Sequence, residues 1–255
     1  MKNVGIIGCG WLGFALGQKW RENNWKINGT VRKAESAIAL KNIGITPYIF
    51  ELGGSLEKEF YSELDLIVIC LPISSKNAMN DYKNLVKQVA LNKETQTCIL
   101  LTSSISVYNQ MEGVLDEYTT IKDQSTINFR MEEACRKSFN DQLTIVRLGG
   151  LISEDRHPIT VLAGKKQLKN GTEVINLVHR NDVVNMLDRI AGKNAFGHVY
   201  NCVYPYHPLK SAYYQSEAEK RQLVAPTYEV MVNQQRIINS NKSEEELDFT
   251  YQFPI

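Results

Sequence analysis

Val4-Gly5-Ile6-Ile7-Gly8-Cys9-Gly10-Trp11-Leu12-Gly13 decides how this chain is read. A short apolar run of strand character ends at Gly8, a Gly-x-Gly-x-x-Gly spacing follows, and residues 11–22 beyond it have helical character. In such a strand-to-helix turn each glycine has its own task. Gly8 allows the tight turn, Gly10 lets a pyrophosphate approach the backbone, and Gly13 lets helix and strand pack closely. The open N–H groups at the helix start, in the turn that carries Trp11 and Leu12, then receive phosphate charge. The alternative is a glycine-rich turn with no ligand.

Outward from this turn, apolar runs alternate with amphipathic stretches, the pattern of a parallel sheet flanked by helices. Strands are expected near 3–8, 25–31, 46–51, 65–71, 97–102, 143–148 and 198–203. Helices are expected near 11–22, 34–42, 76–91, 126–139 and 181–191. Runs 65–71 and 97–102 are almost wholly apolar, so they are central strands covered on both faces. The helix near 126–139 puts Ile127, Met131, Ala134, Cys135 and Phe139 on one stripe, with Ser125 or Thr126 to cap it. Past about residue 204 the pattern loosens: Tyr204-Pro-Tyr-His-Pro208 breaks regular structure, a polar helix-like stretch follows, and Ser240 to Glu246 is strongly polar. The expected fold is α/β, a doubly wound parallel sheet of Rossmann type with a small C-terminal lobe. Residues 1–150 form the dinucleotide-binding core, and 151–255 a small mixed substrate lobe from which about 176–203 returns to the core.

The 255 residues carry 29 Lys plus Arg against 28 Asp plus Glu, a formal charge of +1. That balance supplies no global attraction to phosphate backbones or anionic membranes, so neither is an expected partner. The longest apolar run, Leu66 to Ile73, contains Pro72 and falls far short of the ~20 residues that span a bilayer. Gly8 interrupts the first apolar run before a signal-type region develops, and the expected location is cytoplasmic. Cys9, Cys70, Cys98, Cys135 and Cys202 lie far apart with no Cys-x-x-Cys pair, and His157, His179, His198 and His207 are scattered. Neither a disulfide framework nor a metal site is expected.

About 20 residues past the glycines, NAD-preferring sites place an Asp or Glu for the ribose 2′-hydroxyl. Here the segment reads Gly29-Thr30-Val31-Arg32-Lys33, with no carboxylate. Arg32, Lys33 and the Thr30 hydroxyl suit a 2′-phosphate, which favours NADP over NAD. Two solvated basic side chains at a loop are the plainer alternative. Glu51 ends the third strand as an adenine-side carboxylate or a solvated one. Leu71-Pro72-Ile73 closes the fourth strand, where ligands of such sheets collect.

The later segments resemble the extended branch of the short-chain dehydrogenase/reductase superfamily, the epimerase- and dehydratase-like proteins. Thr102-Ser103-Ser104-Ile105-Ser106-Val107-Tyr108-Asn109 is similar to its Ser-Ser-x-x-Val-Tyr-Gly segment, and Asp116-Glu117 to the acidic pair that often follows. Val146-Arg147-Leu148-Gly149-Gly150, Asn176-Leu-Val-His179-Arg-Asn-Asp182-Val-Val and Gly197-His-Val-Tyr-Asn201 resemble three further segments, in the family's order. The resemblance covers about residues 3–205. It implies that Ser104 hydrogen-bonds a substrate carbonyl or hydroxyl beside the nicotinamide; the residue alone reads equally as a loop cap.

The family's proton carrier is a Tyr, with a Lys four residues later that lowers its pKa, at the start of the helix that here runs near 126–139. Counting back from Glu133 puts Phe129 and Ser125 in the Lys and Tyr slots; counting from Glu132 puts Asn128 and Gln124 there. Neither register supplies the pair. Tyr118-Thr-Thr-Ile-Lys122 has the spacing, yet its β-branched run favours extended chain over helix, and it reads as a surface loop. His179 and Asp182 border the expected cleft, and the structural reading makes Asp182 the cap of the following helix. The combination resembles atypical members of the family. It implies an NADP-binding, epimerase- or dehydrogenase-like protein that exchanges hydride with a sugar-like or small carbonyl or alcohol substrate. The alternative is a non-catalytic module that senses NADP(H) or binds a partner. A hydroxyacid or imino-acid reductase would share the opening glycines, but it needs a long helical C-terminal domain where this chain has strands.

Overall fold

The computed structural model describes residues 2–72, 78–229 and 235–255. Among them, seven strands form one parallel sheet: β1 Asn3–Ile7, β2 Lys26–Val31, β3 Thr46–Ile49, β4 Leu66–Ile69, β5 Cys98–Ser104, β7 Leu143–Leu148 and β10 Val199–Cys202. Their order is β10-β7-β5-β4-β1-β2-β3. The chain therefore winds outward from β1 through β2 to β3, crosses back to β4, and winds the other way. Each of the seven strand segments expected from sequence contributes one of these strands.

Two apolar faces explain the continuous hydrophobic runs. Val4, Ile6, Leu66, Val68, Leu100, Val146 and Leu148 point to one side of the sheet, where Leu16 and Trp20 of α1 (Trp11–Glu22) and Val183, Met186, Leu187 and Ile190 of α6 (Arg180–Lys193) cover them. Ile7, Ile67, Ile69, Ile99, Leu101 and Ile145 alternate to the other side, under Tyr82, Leu85 and Val89 of α3 (Met79–Asn92) and Met131, Cys135 and Phe139 of α4 (Ile127–Phe139). Strands buried on both sides lose the period-two pattern of a half-exposed sheet. Helix α2 (Ala34–Asn42) contributes Leu40 to the first side. The helix expected near 76–91 begins at the edge of the described residues, and Ile73 lies outside them.

The remaining elements cluster at the carboxyl end of the sheet. β8 (Gly150–Ile152) pairs with β9 (Leu177–His179), and β6 (Gly113–Leu115) pairs with β11 (Arg236–Ile238). Ile152, Ile159, Ile175, Leu177, Tyr213, Tyr214 and Ala218 form a small separate core with the short α5 (Ile159–Leu162) and α7 (Lys210–Lys220). The polar stretch after Ser240 is helix α8 (Asn241–Leu247), which sequence reading leaves without structure. It holds because Leu247 and Phe249 enter the main core and because Ser240 and Ser243 donate to the carbonyls of Val203 and Ser240, both at 2.7 Å. Leu143–Leu148 and Val199–Cys202 belong to the sheet, so the helical C-terminal domain of a hydroxyacid reductase is not built from them.

No described helix is long and apolar enough to cross a membrane. Among the described residues no group of three or more His, Cys, Asp or Glu side chains could hold a metal ion, and all five cysteines are free.

Candidate active-site cleft

The crossing of the chain between β1 and β4 leaves a crevice at the carboxyl ends of the central strands. A cleft of about 490 Å³ opens there, lined by Gly8, Gly10, Trp11, Leu12 and Gly13, by Cys70, Leu71 and Pro72, and by Thr102, Ser103 and Ser104. Its far wall is Asn128, Met131, Leu148, Gly149, Leu151 and Arg156. Eight of the residues singled out in the sequence meet in this cleft: Gly8, Gly10, Trp11, Leu12, Gly13, Leu71, Pro72 and Ser104.

The glycine loop has the geometry its spacing calls for. Gly8 has φ +101°, a left-handed conformation, and a Cβ there would meet Leu71 at 2.9 Å. A Cβ on Gly13 would lie 2.3 Å from the Gly8 carbonyl oxygen, so only glycine lets α1 start this close to β1. Above Gly10 nothing lies within 4 Å of a Cβ position. No side chain caps α1, and its first turn holds no acidic residue. An open backbone, a helix N-terminus and a cleft floor of glycine suit a diphosphate.

Thr30 has another place than the 2′-phosphate contact expected of it. Its hydroxyl accepts the Gly8 N–H at 2.8 Å and is almost fully buried beneath the loop. Arg32 and Lys33 stand exposed at the end of β2, outside the cleft lining, and among the described residues neither is tied by an ion pair or hydrogen bond of its side chain. Glu51, exposed just past β3, also lies outside the cleft lining.

Ser104 ends β5 and does two jobs. Its Oγ accepts the Ser106 N–H at 3.1 Å, capping the 3₁₀ turn Ile105–Tyr108, while its own proton stays available to the cleft. Beside it, Asn128 on the first turn of α4 donates to Ser106 Oγ at 2.5 Å. On the same helix Glu132, not Glu133, faces inward. Glu132 accepts from Arg147 Nε at 3.0 Å and Nη2 at 2.8 Å, and from the Ser103 hydroxyl at 2.7 Å. Arg147 Nη1 donates to the Tyr108 hydroxyl at 2.7 Å. Burial opposes the charge on Arg147, but the bonds to Glu132 outweigh it and raise its pKa. This buried network holds the floor beneath Ser104.

Tyr118 and Lys122 lie in turns and bends, both exposed, outside any helix. Lys242 stands over the Tyr118 ring at 5.2 Å, away from the cleft lining. Gln124 is exposed in the groove between α3 and α4. Among the described residues the cleft lining contains no Tyr, Lys, His or carboxylate. Burial pushes its one thiol, Cys70, up to about 12.

His179, not Asp182, caps α6. Its Nδ1 accepts the Asn181 N–H at 3.2 Å, and its ring stacks on Phe253 at 4.8 Å. Asp182 instead accepts the N–H groups of Gln252 at 2.9 Å and Phe253 at 3.1 Å and pins the C-terminal segment. Three residues of the loop after β8 and the start of α6 surround the indole of Trp11. Trp11 Nε1 donates to Asp155 at 3.0 Å, and the guanidinium groups of Arg156 and Arg180 lie 5.0 and 4.6 Å from its ring. Sequence reading reached Asn128 only as the occupant of the family's Lys slot in one of two registers, and did not single out Arg156, which belongs to no spacing motif.

No protein-family model matches the chain. The protein YeeZ of Escherichia coli strain K12 is 27% identical over 269 residues, covering all of this chain and 97% of that protein. Among solved structures, UDP-glucuronic acid 4-epimerase from Bacillus cereus in complex with NAD superposes with a TM-score of 0.80 at 13% identity, over 99% of this chain and 94% of that one. A short-chain dehydrogenase/reductase superfamily protein from Agrobacterium tumefaciens with bound NAD gives 0.77 at 10% identity, over 99% and 93%. The fold is that of the epimerase-like short-chain dehydrogenase/reductase proteins. The doubly wound parallel α/β fold expected from the sequence is thus the one observed.

Proposed function

We propose that this protein binds NADP(H) in the cleft and presents the nicotinamide to a small carbonyl or alcohol substrate. Gly8, Gly10, Gly13 and the first turn of α1 hold the diphosphate, Trp11, Leu12, Leu71 and Pro72 flank the dinucleotide, and Glu51 serves the adenine side. Arg32 and Lys33 take the 2′-phosphate. The observation that carries the reading is the pair of unengaged cations at the end of β2, in a chain whose glycine loop leaves the space above Gly10 open. The solved relatives with bound NAD support a pyridine dinucleotide; the basic pair and the missing carboxylate favour its phosphorylated form.

Bound there, the cofactor supplies hydride exchange. The chain's own part is positional: Ser104 donates a hydrogen bond to the substrate oxygen and keeps its proton, Asn128 fixes Ser106 beside it, and Met131, Leu148 and Leu151 give the cleft an apolar wall. A second reading, an NADP(H)-sensing module without turnover, draws on the cleft lining itself, which among the described residues offers no side chain suited to carry a proton at neutral pH. Five free, scattered cysteines fit a reducing, cytoplasmic setting for either.

Calorimetric titration with NADPH and NADH tests the cofactor, on wild type and Arg32→Ala. Preference for NADPH in wild type, lost in the variant, is expected; equal affinities in wild type would end the NADP assignment. A carbonyl screen following NADPH oxidation then separates the readings. Turnover that falls in Ser104→Ala supports hydride exchange, and NADPH binding with no turnover across the screen supports sensing.

A further inference from the structure

Arg156 is the one charged side chain among the described residues that line the cleft, and the lining holds no carboxylate to neutralise it. Its neighbour Arg180 is matched by Asp155 at 3.5 Å. The Arg156 guanidinium has no such match: among the described residues it makes no ion pair and no hydrogen bond, and it lies over the face of Trp11. An exposed cation facing a cleft with an apolar wall has one chemical complement, an oxyanion on the molecule that enters.

The backbone that carries Arg156 is tied to its surroundings. Residues 153–156 form a tight turn closed by Ser153 N–H to the Arg156 carbonyl at 2.9 Å and Arg156 N–H to the Ser153 carbonyl at 3.2 Å. The Ser153 hydroxyl bonds Asp155, Asp155 receives the Trp11 indole N–H, and Glu154 meets His179 at 3.2 Å. The turn is thus latched to the glycine loop and to the start of α6, and the indole supports the guanidinium by cation–π contact.

Arg156 reaches the cleft from the β7 side, and its guanidinium extends to Trp11 at the edge of the glycine loop. It follows β8 and joins Leu148, Gly149 and Leu151 at the end of β7, and Leu148 is the strand partner of Ser104. The glycine loop lies on the other side of β5 and β4. The chain that carries Arg156 therefore borders the wall that holds Ser104, while its guanidinium lies 5.0 Å from the Trp11 ring.

We propose that Arg156 binds a carboxylate or phosphate group of the substrate, so that the protein acts on small acidic carbonyl or alcohol compounds. This rests on the placement of the substrate beside Ser104 given above. It adds a specificity residue that no motif marks.

The test uses protein saturated with NADP⁺, titrated with inorganic phosphate, malonate and, as a neutral control, glycerol, and read by calorimetry and by Trp fluorescence, which Trp11 reports. Wild type should bind both anions and not glycerol. Arg156→Gln should weaken anion binding by about tenfold or more, and Arg156→Lys should restore part of it. Glyoxylate should compete with phosphate where its neutral counterpart glycolaldehyde does not. Affinity for NADP⁺ itself should change less than about twofold in Arg156→Gln. If that variant instead loses NADP⁺ affinity and leaves anion binding as it was, Arg156 serves the cofactor and the proposal is overturned; anion binding equal in all three proteins, or absent from wild type, overturns it as well. If wild type takes up no dinucleotide, the cofactor reading fails on its own. The same titrations on unloaded protein then decide: anion binding lost in Arg156→Gln sustains the site, and unchanged binding ends it.

Discussion

Thr30 holds the glycine loop from below. Its Oγ1 accepts the Gly8 N–H and its carbonyl accepts the Cys9 N–H, both at 2.8 Å, so one residue of β2 fixes two successive amides of the turn. Gly8 needs that support because it sits at φ +101°. Thr30→Val keeps the shape and removes the acceptor, leaving a backbone N–H unpaired, which costs about 1–3 kcal/mol. Urea unfolding should show that loss. Affinity for NADPH and NADH should fall by equal factors, because the loop and not the 2′-phosphate is disturbed. Thr30→Ser should recover both. A change in the NADPH to NADH ratio would show instead that Thr30 touches the 2′-phosphate.

Arg32 makes the complementary case. It is exposed, so its replacement should leave stability within about 0.5 kcal/mol of wild type. Arg32→Glu places a carboxylate where NAD-preferring sites carry one for the ribose hydroxyl. Repulsion should lower NADPH affinity by more than about tenfold, at low salt above all, while NADH binding holds or improves. Calorimetry at two salt concentrations measures both effects. Unaltered NADPH binding would return Arg32 to the role of a solvated side chain.

These two residues also mark how far the sequence could be read. The seven strands were legible because β1, β4 and β5 are apolar on both faces and glycines punctuate the first turn. The cofactor end of the cleft was legible for the same reason, since Gly8, Gly10 and Gly13 act through backbone geometry that no other residue supplies. Thr30 lies on β2 and Arg32 just past its end, and only the structure shows that the first is buried and the second exposed. Glu132 facing Arg147, on the helix that carries Asn128, is a long-range pairing with no local signature. Arg156 stayed hidden because its role depends on Trp11, far away in sequence, and His179 because a histidine cap lacks the signal of Ser, Thr or Asp. Helix α8 was missed where polar composition was outweighed by a few buried contacts.

The buried pair of Glu132 and Arg147 predicts a stability effect of a different size. Removing one partner leaves a charge stranded under Ser104, and such losses run to about 3–5 kcal/mol. Glu132→Gln and Arg147→Met should each lower the urea midpoint strongly. The double variant should cost less than the sum of the two, since it strands nothing. Ser103, bonded to the same carboxylate, links this pair to the cleft, so the single variants should also weaken substrate-analogue binding. Additive losses in the double-variant cycle would show that the two side chains act independently.

His157 makes the small lobe sensitive to mild acid. It is buried, its Nε2 meets the Tyr213 hydroxyl at 2.9 Å, and its Nδ1 accepts the Ile159 N–H at 3.2 Å, an arrangement that requires the neutral ring. Burial first, then the nearby Arg221 and Lys220, lowers its pKa below the usual 6.5, and Glu217 at 3.7 Å only partly offsets them. A histidine held neutral in the fold and free to protonate when unfolded contributes stability that is complete above pH 6.5 and is lost as pH falls below it. The Glu217 carboxyl is separate. Burial raises its pKa, the Lys220 contact outweighs this, and the net shift is below its usual 4.5, so it contributes only at lower pH. Thermal melting followed from about pH 8 to pH 5 should therefore show a decline that begins near neutrality. In His157→Gln, which keeps an acceptor for the Ile159 N–H and does not titrate, that early decline should flatten even though the melting temperature at pH 8 drops. An identical pH slope in the two proteins would assign the acid sensitivity to other groups.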